Sequence, residues 1–194
     1  MIDSYLFPIQ LIMYPRTYYP HAVANADELL QYYTQYLDWK SYPIRMFGKE
    51  LLQPRLVSFY ADEWLRYHYS QTTLIWSWWD KRVLQLRNWI NMTYQLACNS
   101  VLCNLYRNGQ DSMWWHSDDE QELWSDPIIV SITLWQSRIF KLRHKVTKEV
   151  VSMTLEHGSL LLMWIGSQID REHCIPKTAR TLWPRINLTF RTII

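Results

Sequence analysis

Glycine is scarce in this chain, with four residues in 194. That argues against glycine-rich loops that wrap a backbone around phosphates, and neither G-x-G-x-x-G nor a P-loop pattern occurs. Cysteine is nearly as thin: Cys98, Cys103 and Cys174 make an odd count with no C-x-x-C. This suits a reducing compartment and argues against both a disulfide framework and a zinc–cysteine site. No apolar run approaches the ~20 residues that cross a bilayer. The opening Met1-Ile2-Asp3-Ser4 has neither a basic start nor a long apolar stretch after it. The expectation is a cytoplasmic protein (nuclear in a eukaryote), a monomer, with no membrane contact. Charge of one sign is lacking too. A net charge of +2 is too small to name a nucleic-acid partner by itself.

What is abundant is aromatic, with 12 Trp and 13 Tyr. Any single ring is first a packing element, and some could instead be stacking platforms for bases. Hydrophobic residues at 48% and charged residues at 20% describe a globular chain, long enough for one domain with a proper core.

Residues 1–22, apolar and rich in Pro and Tyr, read as an extended leader and an entering strand. Asn25 with Glu28 forms an Asn-headed capping box, followed by Leu29, Leu30, Tyr33, Tyr36 and Leu37 at helical spacing. Residues 41–75 interleave polar and aromatic side chains and read as short strands joined by turns. They make either a ribbon that meets nucleic acid or a plain antiparallel sheet. Asp80 caps a second helix, with Val83, Leu86 and Ile90 on one stripe and Lys81, Arg82, Arg87 and Asn91 on polar faces. From residue 97 the pattern is β, with strands expected at 99–106, 128–135, 138–144, 150–155, 159–164 and 185–192. Helices followed by a β run give an α+β chain with a sandwich or jelly-roll core. It reads as a single domain over 1–194, in which 1–97 hold the N-terminal helices and ribbons and 98–194 the core.

His116 and Asp118 are two apart, so on an extended chain both point to one face. An imidazole and a carboxylate on one face, joined by a distant third ligand, build a facial iron(II) site with open positions. The pair alone is a weak signal, since roughly 0.3 such pairs arise by chance in this composition. The last strand adds weight. In Arg185-Ile186-Asn187-Leu188-Thr189-Phe190-Arg191, the apolar residues face one way and Arg185, Asn187, Thr189 and Arg191 the other. That polar face could be a solvated one. In a barrel, two inward arginines need anions, and a small dicarboxylate matches because guanidinium binds carboxylate bidentately. His173 is the best third ligand, after the buried run Leu160–Trp164 and a turn at Ile165-Gly166-Ser167. His21, His68, His144 and His157 fit worse, and His157 before Gly158 reads as part of a turn.

Taken together, Asn-x-Tyr-x-x-Gly at 104–109, His-Ser-Asp-Asp-Glu at 116–120, His-Gly-Ser-Leu-Leu-Leu-Met at 157–163, His-x-x-Pro-Lys at 173–177 and Pro-Arg-Ile-Asn-Leu-Thr-Phe-Arg at 184–191 resemble the AlkB family of iron(II)- and 2-oxoglutarate-dependent dioxygenases. The similarity is greatest to its nucleic-acid-repair branch and runs from about residue 43 onward. The resemblance implies a double-stranded β-helix (jelly-roll) core, flanked by N-terminal helices and a β-rich nucleotide-recognition lid. It implies that His116, Asp118 and His173 bind iron, that Arg185 with Tyr106 holds the distal carboxylate of 2-oxoglutarate, and that Asn104, Asn187 and Arg191 contact the cosubstrate near its chelating end. Arg55 and Tyr69 fall in the lid, Tyr69 where the family stacks a ring on the flipped base. Asp119 and Glu120 fall where the family reads the damaged base. On residue type alone, Asp119 could equally be a solvated turn carboxylate or the partner of a ligating His.

The implied function is oxidative demethylation of 1-methyladenine or 3-methylcytosine in single- or double-stranded DNA, or RNA, releasing formaldehyde and succinate. The alternatives are a 2-oxoglutarate dioxygenase for RNA or protein, and a non-catalytic nucleic-acid-binding barrel. The chain also departs from the family pattern. Leu134-Trp135-Gln136-Ser137-Arg138 is bulky where the family has a glycine and small residues. Tyr60-Ala61 stands for the usual Tyr-Gly, and the hairpin at 145–150 is short.

Overall fold

In the computed structural model, which describes residues 11–13, 16–46, 49–69, 72–123 and 127–194, the strand Arg185–Arg191 is buried along its whole length. Its alternate positions meet different layers, and that alternation explains the architecture.

Strands β1 (Leu11–Met13) and β2 (Arg16–Tyr19) precede helix α1 (Ala26–Tyr36). Two ribbons, β3 (Pro43–Met46) with β4 (Lys49–Leu52) and β6 (Arg66–Tyr69) with β7 (Thr72–Ile75), stand on either side of β5 (Leu56–Ala61) in the chain. Helix α2 (Lys81–Tyr94) follows, then β8 (Ser100–Tyr106), β9 (Met113–His116), β10 (Ile129–Trp135) and β11 (Arg138–His144). Strands β12 (Val150–Leu155), β13 (Ser159–Met163), β14 (Arg171–Ile175) and β15 (Arg185–Arg191) complete the set. One sheet has seven strands in the order β1-β2-β13-β10-β15-β8-β5, and a second has four in the order β12-β11-β14-β9. The chain is therefore α+β, with a β core and, among the described residues, two flanking helices.

The helices cover one face of the large sheet. Leu29 and Tyr33 of α1 and Val83, Leu86 and Ile90 of α2 pack on Val130, Ile132, Leu134, Leu160, Leu162, Ile186, Leu188 and Phe190. Burying each such side chain contributes about 1.5–3 kcal/mol. The alternate residues of the same strands, Ile129, Leu161 and Met163, turn the other way and pack with Phe140, Leu142 and Leu155 of the small sheet. The polar residues of β15 also point into this gap between the sheets.

Asp80 caps α2 as its sequence predicts, accepting from the backbone N–H of Arg82 (2.9 Å) and Val83 (3.1 Å). The Asn25 box does not form: Asn25 sits at φ −101°, ψ 33°, and its side chain makes no cap hydrogen bond. That backbone is not the extended one that aims an N-cap side chain at the first free N–H groups. Tyr36 of α1 is exposed. Residues 41–75 do not form one ribbon. β5, with Tyr60 and Ala61 buried, is the edge strand of the large sheet, paired with β8. Only β3–β4 and β6–β7 stand apart from it. His157 is a turn residue, its Nδ1 accepting from the Trp135 backbone N–H at 2.7 Å. Trp135 is at φ +75°, a left-handed backbone that glycine adopts without penalty. The bulky residue noted in the sequence thus occupies a position suited to glycine, with its ring stacked on Trp183.

Candidate metal and cosubstrate site

Two neighbouring strands of the large sheet, β8 and β15, form the floor of a pocket of about 480 Å³, counting its open mouth. From the floor rise Asn104, Tyr106, Arg185, Asn187, Thr189 and Arg191, while His116, Asp118 and His173 close the opposite wall. Eight sequence-predicted residues thus meet in one cavity. Gly109 sets the turn after β8, because a Cβ there would lie 2.7 Å from the Thr178 carbonyl oxygen.

The two histidines face each other across the β9–β14 pairing, ring centroids 4.2 Å apart. Between His173↔His116 and Ile175↔Met113, three steps on β9 oppose two on β14, so β9 carries a bulge. The bulge corrects the parity: Met113 and His116, three apart, both line the pocket. His173, expected after a turn, is in the middle of strand β14.

The His116 Nδ1 lies 2.8 Å from the Trp114 carbonyl oxygen. A proton there fixes the tautomer and leaves Nε2 with a free lone pair, the usual preparation of a ligating histidine. Burial holds the His116 imidazole below its ordinary pKa. Burial, with His116 and Arg191 nearby, pushes His173 down to about 3. Both rings are therefore neutral at pH 7, as ligands must be. Burial opposes ionisation of Asp118, yet Arg191 and the two imidazoles outweigh it and hold the carboxyl below its usual range. Arg191 Nη2 lies 3.3 Å from Asp118 Oδ1, and its Nη1 donates to the Tyr67 hydroxyl. Asp118 Oδ2 is buried without a hydrogen-bond partner, with His173 Nε2 3.6 Å away. One ligand atom from each of the three residues lies within 4.8 Å of the others. Two neutral imidazoles and an orphaned carboxylate oxygen fit iron(II), which takes such mixed N/O donors.

At the far end the Arg185 guanidinium is 1% exposed. Nη2 donates to Thr133 Oγ1 at 2.8 Å, while Nε and Nη1 are buried without partners. No described carboxylate pairs with it, and burial lowers its pKa to about 10. A buried cation with two idle donors above the Tyr106 ring, 5.3 Å away, fits one carboxylate of a dicarboxylic acid.

Of the other predicted residues, Arg55, Asp119 and Glu120 do not line the cavity. Arg55 is buried, and its Nε donates to Asn104 Oδ1 at 2.7 Å, so it braces the wall from behind. Asp119 is exposed at the rim, 3.7 Å from Lys145 Nζ. Glu120 turns inward beside Arg191, and burial pushes its carboxyl up to about 7. The Tyr69 side chain lies outside the described residues. Asn187 is fully engaged in the wall, donating to Ser131 Oγ and to the Ile132 carbonyl.

Sequence reasoning missed Gln168, Ser131 and Thr133. Gln168 is buried, and its Oε1 accepts from the Asp118 N–H at 3.0 Å. Ser131 and Thr133 alternate with Ile132 and Leu134 on β10, a period-2 signal that was available. Gln168 had none, since it reaches Asp118 across fifty residues of chain.

Comparison with known proteins agrees with this geometry. The family model described as "2OG-Fe(II) oxygenase superfamily" matches residues 10–191. The chain is 38% identical over 179 residues to "Alpha-ketoglutarate-dependent dioxygenase alkB homolog 3" of Bos taurus, covering 87% of this chain and 62% of that protein. It is 34% identical over 182 residues to "DNA oxidative demethylase ALKBH2" of Mus musculus, covering 88% of this chain and 76% of that protein. It thus spans about 62% of the length of the alkB homolog 3 protein it matches. Among solved structures, "The structure of OsALKBH1" shares the fold, with a TM-score of 0.65 at 15% identity over 95% of this chain and 100% of that one. Family match, relatives and site geometry converge: this chain belongs to the 2OG-Fe(II) oxygenase superfamily, and within it to the AlkB type related to ALKBH2 and alkB homolog 3.

Proposed function

We propose that this chain is an oxidative demethylase of N-alkylated bases in nucleic acid, dependent on iron(II) and 2-oxoglutarate. The observation that carries the reading is one cavity with a His–Asp–His donor set at one end and the partnerless donors of Arg185 at the other. In this reading the two facing sheets are a double-stranded β-helix, and the β3–β4 and β6–β7 ribbons are the nucleotide-recognition lid of a single domain.

His116 Nε2, His173 and Asp118 hold the iron. Arg185, with Thr133 and Tyr106, holds the distal carboxylate of 2-oxoglutarate. Asn104, kept in place by Arg55, lines the chelating end with Asn187 and Arg191. With the cosubstrate and dioxygen, iron supplies hydroxylation of an N-methyl carbon, which leaves as formaldehyde while 2-oxoglutarate leaves as succinate and carbon dioxide.

The residues of the chain do the rest. The target base leaves its stack to enter the pocket, which is easiest for an alkylated base that pairs poorly. 1-Methyladenine and 3-methylcytosine are cationic, and the carboxylate of Asp119, together with Glu120 when ionised, favours a cation over a normal base. Tyr69 is the ring proposed to stack on it. Arg191 keeps Asp118 ionised, and Trp114 keeps His116 in the ligating tautomer.

The test is turnover. The protein is incubated with iron(II), 2-oxoglutarate, ascorbate and matched single-stranded DNA and RNA oligomers carrying 1-methyladenine. Formaldehyde and unmodified adenine are expected, and their absence from folded, metal-loaded protein defeats the reading. His116→Ala should abolish turnover, whereas a non-catalytic binding barrel would lose little.

A further inference from the structure

The β6–β7 ribbon meets the site through Tyr67, whose hydroxyl accepts from Arg191, and at its base stands an aromatic cluster that the site does not use. Trp64 is 82% exposed and Trp78 71%. Half-buried Trp76 joins them, 6.1 Å from Trp64 and 5.1 Å from Trp78 between ring centroids. Isolated exposed hydrophobics need no explanation, but three adjoining tryptophans do.

The backbone supplies a second observation. Trp64 sits at φ +69°, a conformation that costs any side chain larger than glycine. Packing does not repay it, since the ring projects into solvent. Such an outlier points to use of the side chain outside the fold.

The charges supply a third. Arg66, two residues after Trp64, and Lys81, three after Trp78, are both exposed. Of the nearby acids, Asp62 accepts from Trp79 and Arg87, and Asp80 is the cap of α2 and accepts from Tyr32. Glu63 is left as the free acid of the patch. The first turn of α2 contains no acid. Polar and charged residues interleave with the rings, unlike the contiguous apolar face of a protein interface core.

We propose that Trp64, Trp76 and Trp78, with Arg66 and Lys81, form a platform for unpaired bases of a single-stranded nucleic acid outside the active pocket. Stacked rings next to cations grip single strands without regard to sequence, because every unpaired base offers a π face and every linkage a phosphate. The platform is continuous with the pocket through the ribbon. Tyr67, the residue after Arg66, is buried against Arg191, and His68 contacts Glu122, four residues after Asp118. This rests on the demethylase reading and extends it from a single base to the flank of the strand that carries it.

The experiment measures binding of the full iron-loaded chain, under nitrogen, to a fluorescein-labelled single-stranded oligothymidine of about twelve nucleotides and to a trimer. Trp64→Gly is the decisive variant. It removes the ring and relieves the backbone, so the protein stays folded with an unchanged or raised melting temperature. Loss of one stacking ring is expected to weaken the long oligomer about tenfold. Binding of the trimer and turnover of a trimer carrying 1-methyladenine stay as in the parent. Trp78→Ala should add to the loss, and Trp78→Phe should restore most of it.

Equal affinity of the parent and Trp64→Gly for the long oligomer overturns the proposal. So does a parent that dimerises through this patch, with Trp64→Gly abolishing the dimer and leaving oligomer affinity unchanged. A parent that binds the long strand through Trp64 but does not turn over the methylated base defeats the demethylase reading and leaves the platform standing.

Discussion

The two ends of β15 carry the same residue type on the same face, yet they differ in kind. Arg191 and Arg185 are both almost wholly buried. Arg191 is held by the chain itself, with both terminal nitrogens engaged, by the Asp118 carboxylate and the Tyr67 hydroxyl. Arg185 has Thr133 and two nitrogens with no partner. A buried guanidinium with its own carboxylate holds a site together, whereas one without a carboxylate waits for an anion from outside. The difference separates the machinery that positions iron ligands from the machinery that binds cosubstrate.

Removing each arginine in turn should break the comparison in opposite directions. Arg191→Leu strands the Asp118 carboxylate in a buried site, so the unfolding free energy in urea should fall by about 3–5 kcal/mol. Added 2-oxoglutarate should not restore it. Arg185→Leu removes a buried charge that lacks a partner, so the stability of the apo protein should hold or rise. Its KM for 2-oxoglutarate should increase at least about thirtyfold, the lower end for breaking a buried charge pair. If both variants lose stability equally, the two arginines are alike and the assignment of Arg185 fails.

Smaller changes should sharpen the contrast. Gln168→Leu takes the acceptor from the Asp118 N–H, and cobalt(II) or manganese(II) affinity by titration calorimetry should drop about 10–100-fold, with the KM for 2-oxoglutarate little changed. Thr133→Val removes the acceptor of the hydrogen bond that Arg185 Nη2 donates, worth about 0.5–1.5 kcal/mol. Its effect should appear as a several-fold rise in that KM, with metal affinity untouched.

Much of this was legible in the residues. All six core strands expected from residue 97 onward form within a residue or so of their expected bounds, because a strict period of two is written locally and a half-buried strand must obey it. The capping role of Asp80 and the buried stripe of α2 are local for the same reason. Asn25 failed at the same level, where one residue's backbone angles override a good capping sequence.

What stayed hidden is what depends on pairing across the chain. That Arg55 is a buried brace on Asn104 follows from β5 joining the large sheet, which the aromatic, polar run around it does not announce. That Met113 and His116 share a face follows from a bulge, visible only once β9 is laid against β14. By itself the sequence determined which chemistry was present: imidazoles, carboxylates and guanidiniums, with the two arginines on one face of a strand of known parity. Only the tertiary structure decided which arginine would find a carboxylate within the chain and which would not, because a partner across a sheet is chosen by register and by loops dozens of residues away.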